Sequence, residues 1–198
     1  PVRGQRYRLE VEPTFGSLQF QTLLADYRRY IFLRPVTFAM RGMHYGRFGA
    51  DAESDELTPL YLGYPSLVRG YESGSFDLSE CTGDDCPEYD RLIGSRLAVA
   101  NLELRVPLFG TDQFGLFSVP ALPLELTAFA DAGTAWSQGD APNLVFERRS
   151  SERIPVFSAG GSLRLNLLGA AVVEAYYAYP FQRPEKGGHF GFQLAPGW

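Results

Sequence analysis

His44 and His189 are the only imidazoles in this chain of 198 residues, and neither stands beside a recognisable Ser or Asp motif that would make it a catalytic base. Enzymatic chemistry is not expected, and no cofactor is called for. Cys81 and Cys86 flank Thr82-Gly83-Asp84-Asp85, and in an exported protein such a pair most simply closes a small disulfide loop. The rival is a metal site completed by Asp84, Asp85 and Glu88. Zinc wants closer cysteines and more Cys or His ligands than these, and hard-cation binding by the acids would be unspecific, so no metal is assigned. What remains is charge. Arg6, Arg8, Arg41, Arg105 and Arg164 stand against Glu10, Glu103, Glu125, Asp131 and Glu174, each at alternate positions in otherwise apolar segments.

Those segments read as strands. From Leu97 to Leu108, Ala98, Ala100, Leu102, Leu104, Val106 and Leu108 fall on one side and Asn101, Glu103 and Arg105 on the other, the period of two that marks a strand with one oily and one charged face. Similar segments run from Arg3 to Glu12, Ser17 to Ile31 (with blurred alternation), Val36 to Arg47, Leu122 to Trp136, Pro155 to Leu168, Ala171 to Phe181 and Gly188 to Trp198. Leu33-Arg34-Pro35 breaks the second run, and Leu168-Gly169-Ala170 makes a tight return. Phe 15, Tyr 11, Gly 21 and Pro 14 suit strands and turns better than helices. The expected fold is one all-β domain over 1–198: a transmembrane, antiparallel, up-and-down barrel of eight strands. An even count returns both termini to one side, so the loops from Phe48, Ser137 and Gln182 face the other, extracellular side. The stretch from about 48 to 92 is far longer than an ordinary connection, which marks it as functional or folded over something.

Alternation permits two barrels, a soluble carrier with an apolar interior or a membrane barrel with the faces exchanged. The near-neutral charged set favours the second, because charges enclosed in a narrow lumen must pair while a solvated exterior has no such need. Tyr30, Phe32, Tyr45, Trp136, Phe181 and Trp198 near strand ends fit interfacial girdles, although strand propensity also accounts for them. Mean hydropathy just below zero decides nothing, since alternation hides an apolar band from an average. There is no unbroken apolar run near ~18 residues, which excludes a transmembrane helix. No charged-then-apolar leader precedes Pro1, so any secretion signal is expected to have been removed. A net charge of −5 argues against nucleic acid as a partner.

The run Leu62-Gly63-Tyr64-Pro65-Ser66-Leu67-Val68-Arg69-Gly70-Tyr71 in the long loop, and Ala128-Phe129-Ala130-Asp131-Ala132-Gly133 in the fifth strand, resemble paired motifs of the bacterial surface antigen family, the barrel domain of BamA, TamA and their relatives. Gly94-Ser95-Arg96-Leu97 and the final aromatic resemble it too. Read alone, Arg69 fits a solvated surface turn better than an inward lock. The resemblance implies instead a loop pinned inward, with Val68, Arg69, Gly70 and Tyr71 locked to the carboxylate of Asp131, a natural bidentate partner for a guanidinium. It also implies the outer membrane of a Gram-negative-type bacterium, lipid and unfolded outer-membrane protein strands as partners, and a role in outer-membrane protein assembly or polypeptide translocation. A seam between the first strand (Tyr7, Leu9) and the last (Gly191, Pro196, Trp198) would template the incoming strand. Family members resemble sixteen-stranded barrels preceded by periplasmic repeats, whereas this chain matches only the last eight strands. Either eight strands close alone, with the loop capping a lumen that side chains fill, or the chain is half of a larger barrel, completed by a homodimer or by a longer protein. The alternative role is a structural membrane anchor without insertase activity.

Overall fold

The computed structural model describes residues 3–77, 80–81, 86–111, 113, 115–119, 122–150, 152–167 and 171–196. Trp198, the return at Leu168-Gly169-Ala170, and the acids Asp84 and Asp85 lie outside the described residues. In chain order the strands are β1 Gly4–Thr14, β2 Phe20–Leu33, β3 Val36–Phe48, β4 Leu60–Tyr61, β5 Ile93–Gly94, β6 Arg96–Gly110, β7 Phe117–Ser118, β8 Leu124–Trp136, β9 Val156–Leu167, β10 Ala171–Pro180 and β11 His189–Pro196. The long loop also holds a 3₁₀ turn at Ser73–Ser75 and one short helix, α1 Pro87–Asp90.

The eight long strands form a single meander in the order β1-β2-β3-β6-β8-β9-β10-β11, every neighbour antiparallel. β7 adds two residues alongside the end of β6, and β4 pairs with β5 inside the long loop. Alternation sorts the faces cleanly. In β6 Leu102 and Leu104 are exposed while Arg105 is buried, and in β8 Thr127, Phe129 and Asp131 are buried between exposed Leu126, Ala128 and Ala130. The register keeps the sorting in phase: Glu103 lies opposite Phe129, Asn101 opposite Asp131, and Glu174 opposite both Arg164 and Gln193. One face is thus polar and covered, the other apolar and bare. Pro107, which donates no ladder hydrogen bond, sits where the β6–β8 register slips before Phe109.

The covered face is charged only over part of its length. Towards the end where the long loop departs it turns apolar, and Leu97, Val99, Ala135 and Val156 pack against Leu62, Val68, Tyr71 and Leu92 from the loop. This is the molecule's principal hydrophobic core. It explains why β2 alternates poorly: Leu24 lies opposite Tyr45, which packs against that core, so β2 carries apolar residues on both faces.

The expected closed barrel of eight strands is not formed. Among the described residues β1 pairs only with β2 and β11 only with β10, leaving an open sheet with two free edges. The expected seam between Tyr7 and Leu9 on one side and Gly191 and Pro196 on the other is therefore not joined. The physical reason lies on the covered face. An eight-stranded cylinder has room only for its own side chains, but here a strap of loop from Leu62 to Tyr71 lies over the sheet as well, and the wall must be wider to hold it. The loop also does more than cap a mouth, since it reaches strand residues at mid-length.

Candidate functional site

The strap is held by its own backbone before it meets the sheet. Leu62 N–H donates to Leu92 O at 2.8 Å, and the N–H groups of Leu67 and Val68 donate back to Tyr64 O at 2.8 and 3.1 Å, forming a turn that aims Arg69 at the strands. Gly70 follows at φ +89°, a conformation that side chains rarely allow. On the sheet side, Gly133 leaves space for the strap. A Cβ there would stand 2.8 Å from Val68 Cγ2 and 2.9 Å from Leu62 Cδ1, closer than real contacts permit.

Arg69 is 3% exposed and meets three carboxylates. Its Nε and Nη2 donate to the two oxygens of Asp131 at 2.7 and 2.8 Å, its Nη1 donates to Glu174 Oε1 at 2.9 Å, and Nη2 lies 3.0 Å from Glu103 Oε1. Its backbone N–H also donates to Asp131 at 3.2 Å, and the guanidinium lies 3.5 Å above the Phe129 ring. Asn101 Nδ2 bridges the carbonyl of Leu67 and Asp131 at 2.7 and 2.9 Å. Burial alone would lower the Arg69 pKa; the bonds to Asp131 and the charges of Asp131, Glu103 and Glu174 outweigh it and raise it, so the cation is permanent.

Two further arginines complete the cluster. Arg105 lies 2.6 Å and Arg164 3.1 Å from Glu103 Oε2. Three buried cations thus meet two buried anions, Asp131 and Glu174, and the part-buried Glu103, the neutrality that a low-dielectric site demands. Glu125 is half-buried opposite Arg164. Arg41 pairs separately with Asp26, at 2.9 Å, as does Arg28, and Arg41 also donates to the carbonyl of Ser66 at 2.7 Å. Arg6 lines a cavity of about 550 Å³ beside this group, together with Arg28 and Arg41. Arg8 and Glu10 pair with each other on the exposed edge strand and do not join the buried cluster.

A second set of contacts fastens the strap from the other side. Arg183, just beyond β10 and 1% exposed, grips Glu80 with two bonds of 2.8 and 2.7 Å, donates to Gly70 O at 2.7 Å and to Ser75 Oγ at 2.8 Å, and lies 3.7 Å over Phe76. Burial would raise the Glu80 pKa, but the Arg183 bonds hold it below its ordinary value. The single Tyr71 O–H proton is shared between Phe157 O and Gln182 Oε1, at 2.9 and 3.1 Å from the hydroxyl, and burial pushes its pKa up. Glu72 accepts from Tyr176 O–H and from Gly70 N–H, and its other oxygen lies 3.0 Å from His189 Nε2. Cys81 and Cys86 are joined as a disulfide next to Glu80. Among the described residues no group of His, Cys, Asp or Glu is placed to hold a metal ion.

Of the residues singled out from sequence, Arg69, Asp131, Glu103, Arg105, Arg164 and Glu174 meet in one cluster. Asp26, Glu72, Glu80, Tyr176, Gln182 and Arg183 were not singled out. Only Asp26 carried a signal, two residues before Arg28 in a strand; the others gain meaning from a partner more than 80 positions away in sequence or, for Glu72 and Glu80, by bonding to such a residue. Comparison with known proteins bears on the whole arrangement. No curated protein matches the chain. The model of the Omp85 superfamily domain matches residues 1–197, and with a motif arginine on the long loop seated against the acid of the facing strand, the chain belongs to the Omp85 superfamily.

Proposed function

We propose that this chain is a membrane-spanning part of an outer-membrane β-barrel that assists assembly of outer-membrane proteins, without enzymatic activity, by lending the free edge of β11 to an incoming strand. Membership of the Omp85 superfamily, whose proteins are outer-membrane proteins of Gram-negative bacteria, supports the location. So does the bare apolar face, with Leu102, Leu104, Leu126, Leu163 and Phe192 all exposed, which water would penalise and lipid would not. The observation that carries the reading is the pair of free edges. Unpaired backbone N–H and C=O groups cannot face hydrocarbon, so β1 and β11 require strand partners there. Further strands of a longer chain, or a second copy, complete the wall; a client strand competes for the β11 edge, where pairing is main-chain and therefore sequence-tolerant.

The charge-balanced cluster favours a second role, a rigid membrane anchor with no insertase activity. Insertion of a reporter barrel into liposomes containing this protein separates the two. Acceleration over empty liposomes is the expected result. Equal rates would leave the anchor.

A further inference from the structure

The loop between β9 and the preceding strand β8 carries Leu144, Val145 and Phe146 in succession, all exposed, Leu144 at 78% and Phe146 at 59%. Three consecutive bare apolar residues are out of place on a water-facing loop. Their position explains them. The Phe146 ring packs 5.2 Å from Phe157 and 6.0 Å from Phe181, and Phe181 packs 5.4 Å from Tyr179. Phe157 shares the parity of exposed Leu163 in β9, and Tyr179 that of exposed Tyr177 in β10, so Phe146 lies against the rim of the bare face and not over the charged one.

Cations border this rim. Arg148 donates to the Tyr179 hydroxyl at 2.7 Å, and Arg149 pairs with Glu185 while staying largely exposed. Further along, Arg96 stacks 4.6 Å over Phe48. Aromatic rings with adjacent arginines are the chemistry of the headgroup layer, where rings sit at the boundary and guanidiniums meet phosphates. The segment is also held in place. Glu147 O accepts from Gln182 Nε2 at 2.9 Å, and Gln182 is bonded to Tyr71 of the strap; Asn143 N–H donates to Arg153 O at 2.9 Å.

We infer that Leu144-Val145-Phe146 is a lipid-seating foot: the three side chains enter the acyl boundary of the outer leaflet beside β9 and β10, and Arg148 and Arg149 engage the phosphates of lipid headgroups. The inference rests on the membrane-spanning reading above. Charge complementarity and continuity with the bare face select lipid over a protein partner.

The test uses the full chain with Trp136 and Trp198 replaced by phenylalanine, carrying either L104W or L144W, in phosphatidylcholine–phosphatidylglycerol vesicles containing brominated lipids. L104W should be quenched by bromines deep in the acyl chain. L144W should be quenched more by shallow bromines than by deep ones, the order expected for a side chain ~5–10 Å into the boundary. Quenching of L104W with none of L144W would overturn the foot and leave the membrane reading intact; no quenching of L104W would overturn both. Adding R148Q and R149Q should reduce the L144W quenching, and unchanged quenching would remove the phosphate assignment.

Discussion

Replacing Arg69 with alanine converts a cluster of three cations and three anions into one with two cations, leaving Asp131 without its bidentate partner and Glu174 without its 2.9 Å contact. Breaking a buried pair in this way costs about 3–5 kcal/mol, much of it the penalty of an uncompensated charge. The strap, not the sheet, should respond, because the strands keep their ladders. At 1.4 kcal/mol per tenfold, cleavage of the 48–92 loop by an unspecific protease should accelerate by roughly two to four orders of magnitude, if opening is fast relative to cleavage. Arg69→Lys should recover only part of this, since one ammonium cannot hold both Asp131 oxygens and Glu174 together. The decisive comparison is R69A with D131A. Together they restore two cations against two anions, so the double variant should be protected better than the single costs add up to, by a coupling of about 0.5–3 kcal/mol. Strict additivity, or wild-type cleavage of R69A, would refute the charge argument.

The Arg183–Glu80 clamp should be acid-labile: with its folded pKa held down, Glu80 contributes fully above the unfolded value near ~4 and loses that contribution as pH falls through the lower folded value. Loop protection measured against pH should drop in acid for the wild type and drop less steeply for E80Q; equal slopes would remove Glu80 from the acid response. Replacing Cys81 and Cys86 with serine should lower loop protection by roughly 2 kcal/mol, the chain-entropy value for so short a loop, read as faster proteolysis with an unchanged strand signal in circular dichroism. Gly133→Leu should displace the strap by filling the space held by Leu62 and Val68, giving cleavage as fast as R69A; protection equal to wild type would mean the strap does not lie where Gly133 admits it.

Much of this was legible in the sequence because period-two alternation is local. Glu103 and Arg105 against Leu102 and Leu104 assign both faces of β6 without any knowledge of its neighbours. Leu97 and Val99 look like lapses in the charged face until the loop is seen packed on them, since an inward residue answers to what covers it. Closure was illegible for a different reason. The number of strands that complete a wall depends on what the interior must hold, and that quantity appears only once the strap is laid down. Arg183 and Gln182 sit in a connection with no period at all, so nothing local separates them from exposed loop residues such as Glu185.

The strap and the last strand share the same acids, and this makes them one mechanical unit. Glu174 accepts from Arg69 on one oxygen and from Gln193 of β11 on the other, at 2.9 and 2.7 Å. Glu72, two residues past Gly70, lies 3.0 Å from His189 at the other end of the same strand. β11 is therefore fastened along one edge by its ladder to β10 and from the covered face by Glu174 of β10 and by Glu72, and of these only Glu72 moves with the strap. Withdrawing the strap takes Glu72 away from His189 and leaves Glu174 to Gln193 and Arg164. The strand whose outer edge would meet a client is thus weakened by the same event that empties the covered face, without any rearrangement of the remaining ladders.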